Sequence, residues 1–162
     1  MKTLRLLAAT ILLLPGFTGV TGARAVATWS YQELFEKSDV VVIAYPTATN
    51  DTKEQIGIIG QQAMGVETRF AVSVVLKGDK TLKDFILHHY RTPDDVMHVP
   101  NGPTFVSFAP VKDPTIPPHT FILFLVKEAD GRYAPVAGQT DSGLSVRELT
   151  GVGYAVDPAA AK

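Results

Sequence analysis

The chain contains no cysteine among its 162 residues. This absence excludes disulfide bonds, thiolate nucleophiles and cysteine-ligated zinc. The sequence also lacks the G-x-G-x-x-G and G-x-x-x-x-G-K-[ST] loops that cradle phosphates, so nothing in it indicates nucleotide binding. Packing must therefore hold the fold together.

A long apolar run of membrane-spanning length is also missing. Lys2 and Arg5 precede an apolar stretch over residues 6–14, which Pro15 ends well short of the roughly 20 residues that a spanning helix needs. An A-x-A pattern follows at positions 23–25. These features predict a signal peptide over residues 1–25, cleaved after Ala25, and a secreted or periplasmic protein with no membrane span in its mature chain.

The mature chain has little positive charge. Without Lys2, Arg5 and Arg24, it keeps 12 of the 15 basic residues against 16 acidic ones, a formal charge of −4. Nucleic-acid binders usually carry a basic surface, so we expect no nucleic-acid partner. The length predicts one domain over residues 26–154, expected to be a monomer, followed by a flexible tail at 155–162.

The mature chain begins with a helix signal and continues with strand patterns. Ser30 and Glu33 form an S-x-x-E capping box, which predicts a helix ending near Ser38 and lying against the sheet through Tyr31, Leu34 and Phe35. Strands are predicted at 39–47, ending at Pro46, and at 66–77, 82–91, 119–128 and 133–138. Within 66–77 the residues predicted to share the core face are Val66, Thr68, Phe70, Val72, Val74 and Leu76.

The segments between these strands have their own signatures. Residues 47–65 are polar and contain glycine, which predicts a mobile hairpin-like excursion. Seven prolines lie in residues 92–118, which we call the proline-rich loop; they exclude a helix and leave room for at most a short strand at 104–108. The pattern as a whole predicts a mainly β fold, a small five-stranded OB-like barrel with a short N-terminal helix and a short C-terminal helical turn. An immunoglobulin-like sandwich is the alternative.

Three of the four histidines lie in residues 88–98, with two aspartates. In a strand, adjacent His88 and His89 point to opposite faces and cannot ligate one ion together. A metal site would instead combine His89 or His88 from the strand with Asp94, Asp95 or His98 from the loop. The candidate ligand set is His89, Asp94, Asp95 and His98. This metal site, serving a metal-binding protein or a metal-dependent hydrolase, is the alternative to a polar strand end that holds no cofactor.

The segment TDSGLS at 140–145 contains the D-S-G found around the serine of trypsin-like proteases, with His119 as a conceivable base. The chain is too short for the two barrels of such enzymes. We therefore interpret Asp141 or Ser142 as the N-cap of a helical turn over residues 146–149. No catalytic residue is assigned, and the protein is expected not to be an enzyme.

Four residues are candidates for binding. Val26 is the expected mature N-terminus, and Trp29 is the only tryptophan, either a platform for a partner or an anchor for the helix. Tyr90 and Arg91 combine an aromatic ring with a positive charge on one strand.

Four segments together resemble bacterial exported proteins related to the netrin-like and tissue-inhibitor-of-metalloproteinase barrels. They are SYQELFEKSDVVVIAYPT, VETRFAVSVVLKGD, HTFILFLVKEADGRYAPVAG and SVRELTG. The resemblance implies an OB-fold and, for the best-known relatives, protein binding or protease inhibition through an N-terminal cysteine that ligates the zinc of the protease. Because this chain has no cysteine, only the fold is carried over. We expect an exported, non-enzymatic module with an unidentified protein partner.

Overall fold

The computed structural model describes residues 24–110, 113, 116 and 118–150. The predicted signal peptide as far as residue 23 and the predicted tail lie outside these residues. The described part is mainly β. Its elements are helix α1 (Tyr31–Lys37), strands β1 (Val40–Ile58), β2 (Gln61–Lys77), β3 (Asp84–Arg91), β4 (Phe121–Lys127), β5 (Tyr133–Pro135) and β6 (Val146–Glu148), and a 3₁₀ turn (Ser142–Leu144).

All six strands belong to one sheet, and five of them close into a ring. The order is β1-β2-β3-β5-β4, and β4 pairs back onto β1. Neighbours in the ring are antiparallel except β3 and β5, which are parallel where Leu87 faces Tyr133. β6 pairs antiparallel with the first part of β4, over Phe121 to Leu123, whereas β5 pairs with the last part of β4. The predicted OB-like barrel with a short helix before it and a helical turn after it is confirmed.

Helix α1 begins with the predicted capping box. The Ser30 hydroxyl accepts from the Glu33 amide at 3.2 Å, and the Glu33 carboxylate accepts from the Ser30 amide at 2.8 Å. Leu34 packs against Val41 and Phe124 on the outside of the barrel. Tyr31 on the same face also contacts the sheet, with its ring centroid 6.0 Å from that of Phe124, but it stays 64% exposed and Phe35 stays 42% exposed.

Strand β1 does not end at Pro46 as predicted but continues for another twelve residues. It pairs with β4 only from Val40 to Ala44, so no described strand pairs with that edge at Pro46. The missing N–H is tolerated there, at an irregularity in the register. The predicted hairpin-like shape of residues 47–65 is confirmed: they complete β1, turn at Ile59 and Gly60, and begin β2. We call residues 50–65 the arm.

Strand β2 changes face at Ser73. Its partner register moves from Ile43 opposite Val74 to Ala44 opposite Val72, so Ser73 is one extra residue. Val75 then packs against the interior, whereas Val74 is 47% exposed. The predicted inward positions of Val74 and Leu76 are therefore wrong, because a bulge reverses the alternation.

The barrel interior is apolar and is closed by an aromatic side chain from the proline-rich loop. Phe108 lies edge-on to Phe70 at a centroid distance of 5.0 Å and to Phe121 at 5.2 Å. No strand forms at 104–108. The loop is therefore fixed to the barrel by burying Phe108.

The C-terminal part differs from the prediction. The helical turn is the 3₁₀ turn Ser142–Leu144, and Val146 begins a strand where a helical turn was expected. β5 leaves the edge of β4 open at Phe121 to Leu123, and β6 pairs there. Asp141 makes no side-chain cap, so the capping interpretation is wrong for this residue.

Candidate functional site

The arm and the proline-rich loop are joined by one buried side chain, that of Gln61. Its amide nitrogen donates to the Thr92 hydroxyl at 2.5 Å and lies 3.3 Å from His98 Nδ1, and its carbonyl oxygen accepts from the Val99 amide at 3.2 Å. A Cβ at Gly102 would lie 2.8 Å from the same oxygen, so the loop passes close to the arm where only glycine fits. Gln61 thereby orders residues 92–102 against the end of the arm.

A cleft of about 410 Å³ lies between residues 45–47 of β1 and the end of the loop, at Pro110 and Pro118. Three more clefts lie along residues 92–107 of the loop. The first, about 520 Å³, lies between arm and loop; the second, about 270 Å³, lies between the loop and the end of β3; the third, about 260 Å³, lies beside the N-terminal segment. Thr104 lines both the second and the third. The lining residues include Gln55, Ile56, Pro93 and Asp95 in the first, Arg91, His98 and Phe105 in the second, and Val26, Asp141 and Leu144 in the third.

The end of the arm and the loop beside it expose apolar side chains. Met97 is 87% exposed, Ile59 at the turn of the arm is 49% exposed, and Val99 is 36% exposed. Gln61, two residues from Ile59, bonds to Val99 and so brings the arm's end beside the loop. We call Ile59, Met97 and Val99 the apolar tip. Its side chains stand on a backbone that buried hydrogen bonds hold in place.

A bulge beside the tip carries a carboxylate over strand β3. Asp51 pairs with Val66 and Gln55 with Met64, so residues 52–54 all stand opposite Gly65. A Cβ at Gly65 would lie 2.5 Å from the Thr52 hydroxyl, so glycine is required for this close approach. The bulge places the Glu54 carboxylate against Tyr90, whose hydroxyl donates to it. Burial and this hydrogen bond raise the pKa of Tyr90.

His88 lies between two carboxylates on the outer side of the barrel. Nδ1 is 2.9 Å from a Glu128 oxygen, and Nε2 faces a Glu54 oxygen at 3.1 Å without hydrogen-bond geometry. The histidine is only 5% exposed. Arg132 joins this group through Glu128 at 3.6 Å, and it also pairs with Glu67 at 3.1 Å and Asp130 at 2.7 Å.

A second charged group lies at the base of the loop. Arg91 bonds both oxygens of Asp51 at 2.8 Å and lies 2.9 Å from Asp94. The hydrogen bonds to Asp51 raise the pKa of Arg91 and lower that of the aspartate. The two groups together contain six carboxylates and two guanidinium groups, a formal charge of −4 with His88 neutral. The carboxylates belong to Asp51, Glu54, Glu67, Asp94, Glu128 and Asp130, and the guanidinium groups to Arg91 and Arg132. We call these eight residues the acidic face.

His89 points into the barrel, as the alternation predicts. Nε2 lies 2.9 Å from the Thr68 hydroxyl, which lies 3.0 Å from that of Thr49, which donates to the Phe108 carbonyl. These contacts form a chain of hydrogen bonds that runs from the His89 ring to the backbone of the proline-rich loop at Phe108. Burial lowers the pKa of His89 to about 4, so the ring is neutral near pH 7.

The four residues proposed as metal ligands are not brought together. His89 is inside the barrel, Asp94 pairs with Arg91, Asp95 lines the first cleft, and His98 lies beside Gln61. Among residues 24–110, 113, 116 and 118–150, no group of three or more histidine, aspartate or glutamate side chains is arranged to hold a metal ion.

The four candidate binding residues have different surroundings. Val26 and Arg91 line the clefts. Tyr90 is 4% exposed and lies beneath Glu54, which removes it from the surface. Trp29 packs on the outer cluster around Leu34, with the Lys37 ammonium 4.4 Å from its ring centroid, so it anchors the helix.

The TDSGLS segment also has a structural role in the described chain. Ser142 is fully buried, and its hydroxyl accepts from the Val106 amide at 3.0 Å. His119 instead pairs with Glu148 on β6. The serine therefore fixes the proline-rich loop.

Several important residues carry no local sequence signal. Gln61 and Glu54 are ordinary polar residues in the sequence, and the partners that they bond lie 31 to 38 positions away. Gly65 lies inside strand β2, where a glycine indicates a close backbone approach, but the predicted strand begins only at residue 66 and so does not include it. In the described part of the chain, no helix is long and apolar enough to cross a membrane. Comparison with protein-family models, with curated proteins and with solved structures finds no match.

Proposed function

We propose that this chain is an exported, non-enzymatic module that binds a partner protein through the apolar tip and the clefts along the proline-rich loop. The leader pattern at residues 1–25 supports export, and the resemblance to netrin-like barrels supports protein binding. The observation that carries the proposal is the Gln61 junction, which holds an exposed methionine and its apolar neighbours on an ordered loop.

Preordering favours binding because it lowers the entropy lost on association. A flexible loop would lose conformational freedom when a partner immobilises it, and this loss subtracts from the affinity. Here Gln61, Phe108 and Ser142 hold the loop at three places before any partner arrives. The surface is thus suited to recognition by an ordered loop on a rigid barrel.

The charge beside the tip indicates the kind of partner. The acidic face has a formal charge of −4, equal to that of the whole mature chain, so the remaining charges balance. A partner with an apolar centre and a basic rim would match this surface. Its association should slow as salt is added, since exposed charges are screened over about 10 Å at 0.1 M ionic strength.

The test is capture of the partner from the envelope and medium of the source cells by the exported protein. The variant combines Met97→Ala and Ile59→Ala, which removes two exposed side chains of the tip. The matched control combines Val74→Ala and Leu76→Ala, two exposed apolar side chains on strand β2. We expect the tip variant to lose at least about tenfold in affinity, as at a typical interface hot spot, and the control to bind normally.

Two results would count against the proposal. Equal recovery of the partner by the tip variant and the control would remove the tip from the binding surface. The second result is that the protein chemically converts the captured partner and that neither variant abolishes this activity. The protein would then be an enzyme with a site elsewhere, not a binding module.

A further inference from the structure

Asp141 is held by an arginine that the predicted export step removes. The two guanidinium nitrogens of Arg24 lie 2.5 and 2.7 Å from the two carboxylate oxygens of Asp141, a bidentate pair. The side chains are only 20% and 15% exposed. Arg24 lies one residue before the proposed cleavage point, so the mature chain has lost this partner.

The site that Arg24 occupies is built into the fold. Asp141 precedes the 3₁₀ turn, where Ser142 bonds to the Val106 amide, and the Thr104 amide donates to the Thr140 carbonyl at 2.9 Å. The carboxylate is therefore carried by backbone tied to the proline-rich loop. It opens into the third cleft, whose lining also includes Val26.

Loss of Arg24 would leave the Asp141 carboxylate, which is 15% exposed while the arginine covers it, without its cation. A carboxylate in such a partly enclosed position is stabilised by a nearby positive charge. Cleavage after Ala25 creates a new cation at the same moment, the α-ammonium group of Val26, only two residues from Arg24. Val26 already lines the cleft that contains Asp141, so little movement is needed.

We infer that Asp141 is a binding site for a primary ammonium group, which export supplies as the new N-terminus of Val26. The inference rests on the proposed export and deepens it: processing exchanges an arginine pair for a terminal ammonium pair. The mature N-terminus is then fixed beside Thr104 and contributes an ordered edge to the binding surface. Arg147 also lines this cleft and is the competing cation within the chain.

The experiment measures acylation of the Val26 amine at neutral pH in protein exported and processed by a bacterial host. Only the unprotonated amine reacts, so an ion pair with Asp141 slows the reaction. Wild type is compared with Asp141→Asn and with Asp84→Asn, which removes an exposed aspartate paired with Arg69. We expect the amine to react about tenfold faster in Asp141→Asn than in the other two, given the size of shifts that a close opposite charge causes.

A second form of the protein keeps the test decisive if Asp141→Asn folds poorly. A wild-type chain that starts at Ala25 carries its amine one residue farther out, and this amine should react at the faster rate. Equal rates in all forms would overturn the inference, and Arg147 would then be the cation that pairs with the Asp141 carboxylate. N-terminal sequencing of the exported protein separates the two proposals: a start other than Val26 refutes the cleavage point, and the inference with it.

Discussion

His88 and His89 are adjacent in the sequence and occupy opposite environments. His89 lies in the apolar barrel, bonded to a threonine hydroxyl, and burial lowers its pKa to about 4. His88 is equally hidden from solvent but faces Glu54 and Glu128, whose own side chains are 39% and 28% exposed. The comparison shows that the surroundings of a buried histidine decide whether it packs in an apolar core or pairs with carboxylates. Strand alternation places the two adjacent rings on opposite faces of the sheet and so gives them these different surroundings.

The largest expected effect is on stability when each ring is removed. His89→Ala should destabilise the protein by about 3 kcal/mol, because it opens a cavity against Phe108 and removes one of the two hydrogen bonds of the Thr68 hydroxyl. His88→Ala should cost about 1 kcal/mol, since water can reach the two carboxylates it faces. Urea unfolding of both variants checks this order, and equal losses would contradict the distinction.

The dependence of stability on pH distinguishes the interior histidine further. His89 has a folded-state pKa of about 4 against a usual value of 6.5, so between these values the unfolded chain binds the proton and the folded chain does not. Its contribution is complete above pH 6.5 and falls as the pH drops to 4, by about 3 kcal/mol in total. His89→Gln should remove this dependence, and His119→Gln, on an exposed ring, should retain it. A wild-type profile parallel to that of His89→Gln would refute the assignment.

The carboxylate beside His88 depends on a glycine. Gly65→Ala places a Cβ 2.5 Å from the Thr52 hydroxyl, so it should displace the bulge that carries Glu54 and cost about 1–3 kcal/mol. Gly57→Ala in the same arm meets nothing within 4 Å and should be nearly neutral. Thermal unfolding and the NMR shifts of the His88 ring measure both effects. If the NMR shifts of the His88 ring do not change in Gly65→Ala, the bulge does not hold the Glu54 carboxylate against His88.

The smallest effect on stability is expected from the Tyr90 hydroxyl, which lies beside Glu54 and His88. Tyr90→Phe deletes the hydrogen bond to Glu54 while keeping the ring that lies 5.0 Å from the His88 ring. We expect a loss of about 1 kcal/mol, the usual net value for one hydrogen bond. Chemical denaturation compares it with Tyr45→Phe, at a tyrosine on strand β1. A loss no greater than that of the control would mean that the Glu54 contact contributes nothing.

Local pattern predicts the fold well and the site only in part. Alternation and the capping box predict the barrel strands, the first helix and the opposite faces of His88 and His89. The Ser73 bulge was missed because one inserted residue changes the face without changing composition. The Gln61 junction and the Arg24–Asp141 pair join residues 31 to 117 positions apart, which no local periodicity encodes. The predicted strand end at Pro46 is wrong because the sequence does not indicate which strand edges stay unpaired.

A hydrogen-exchange footprint of the captured complex would show whether the partner binds at the apolar tip and the loop clefts. We expect slower amide exchange on binding in residues 55–63 and 92–107, with little change in residues 73–77 of strand β2. Protection confined to residues 73–77 and helix α1, with the arm and loop exchanging as in the free protein, would contradict it.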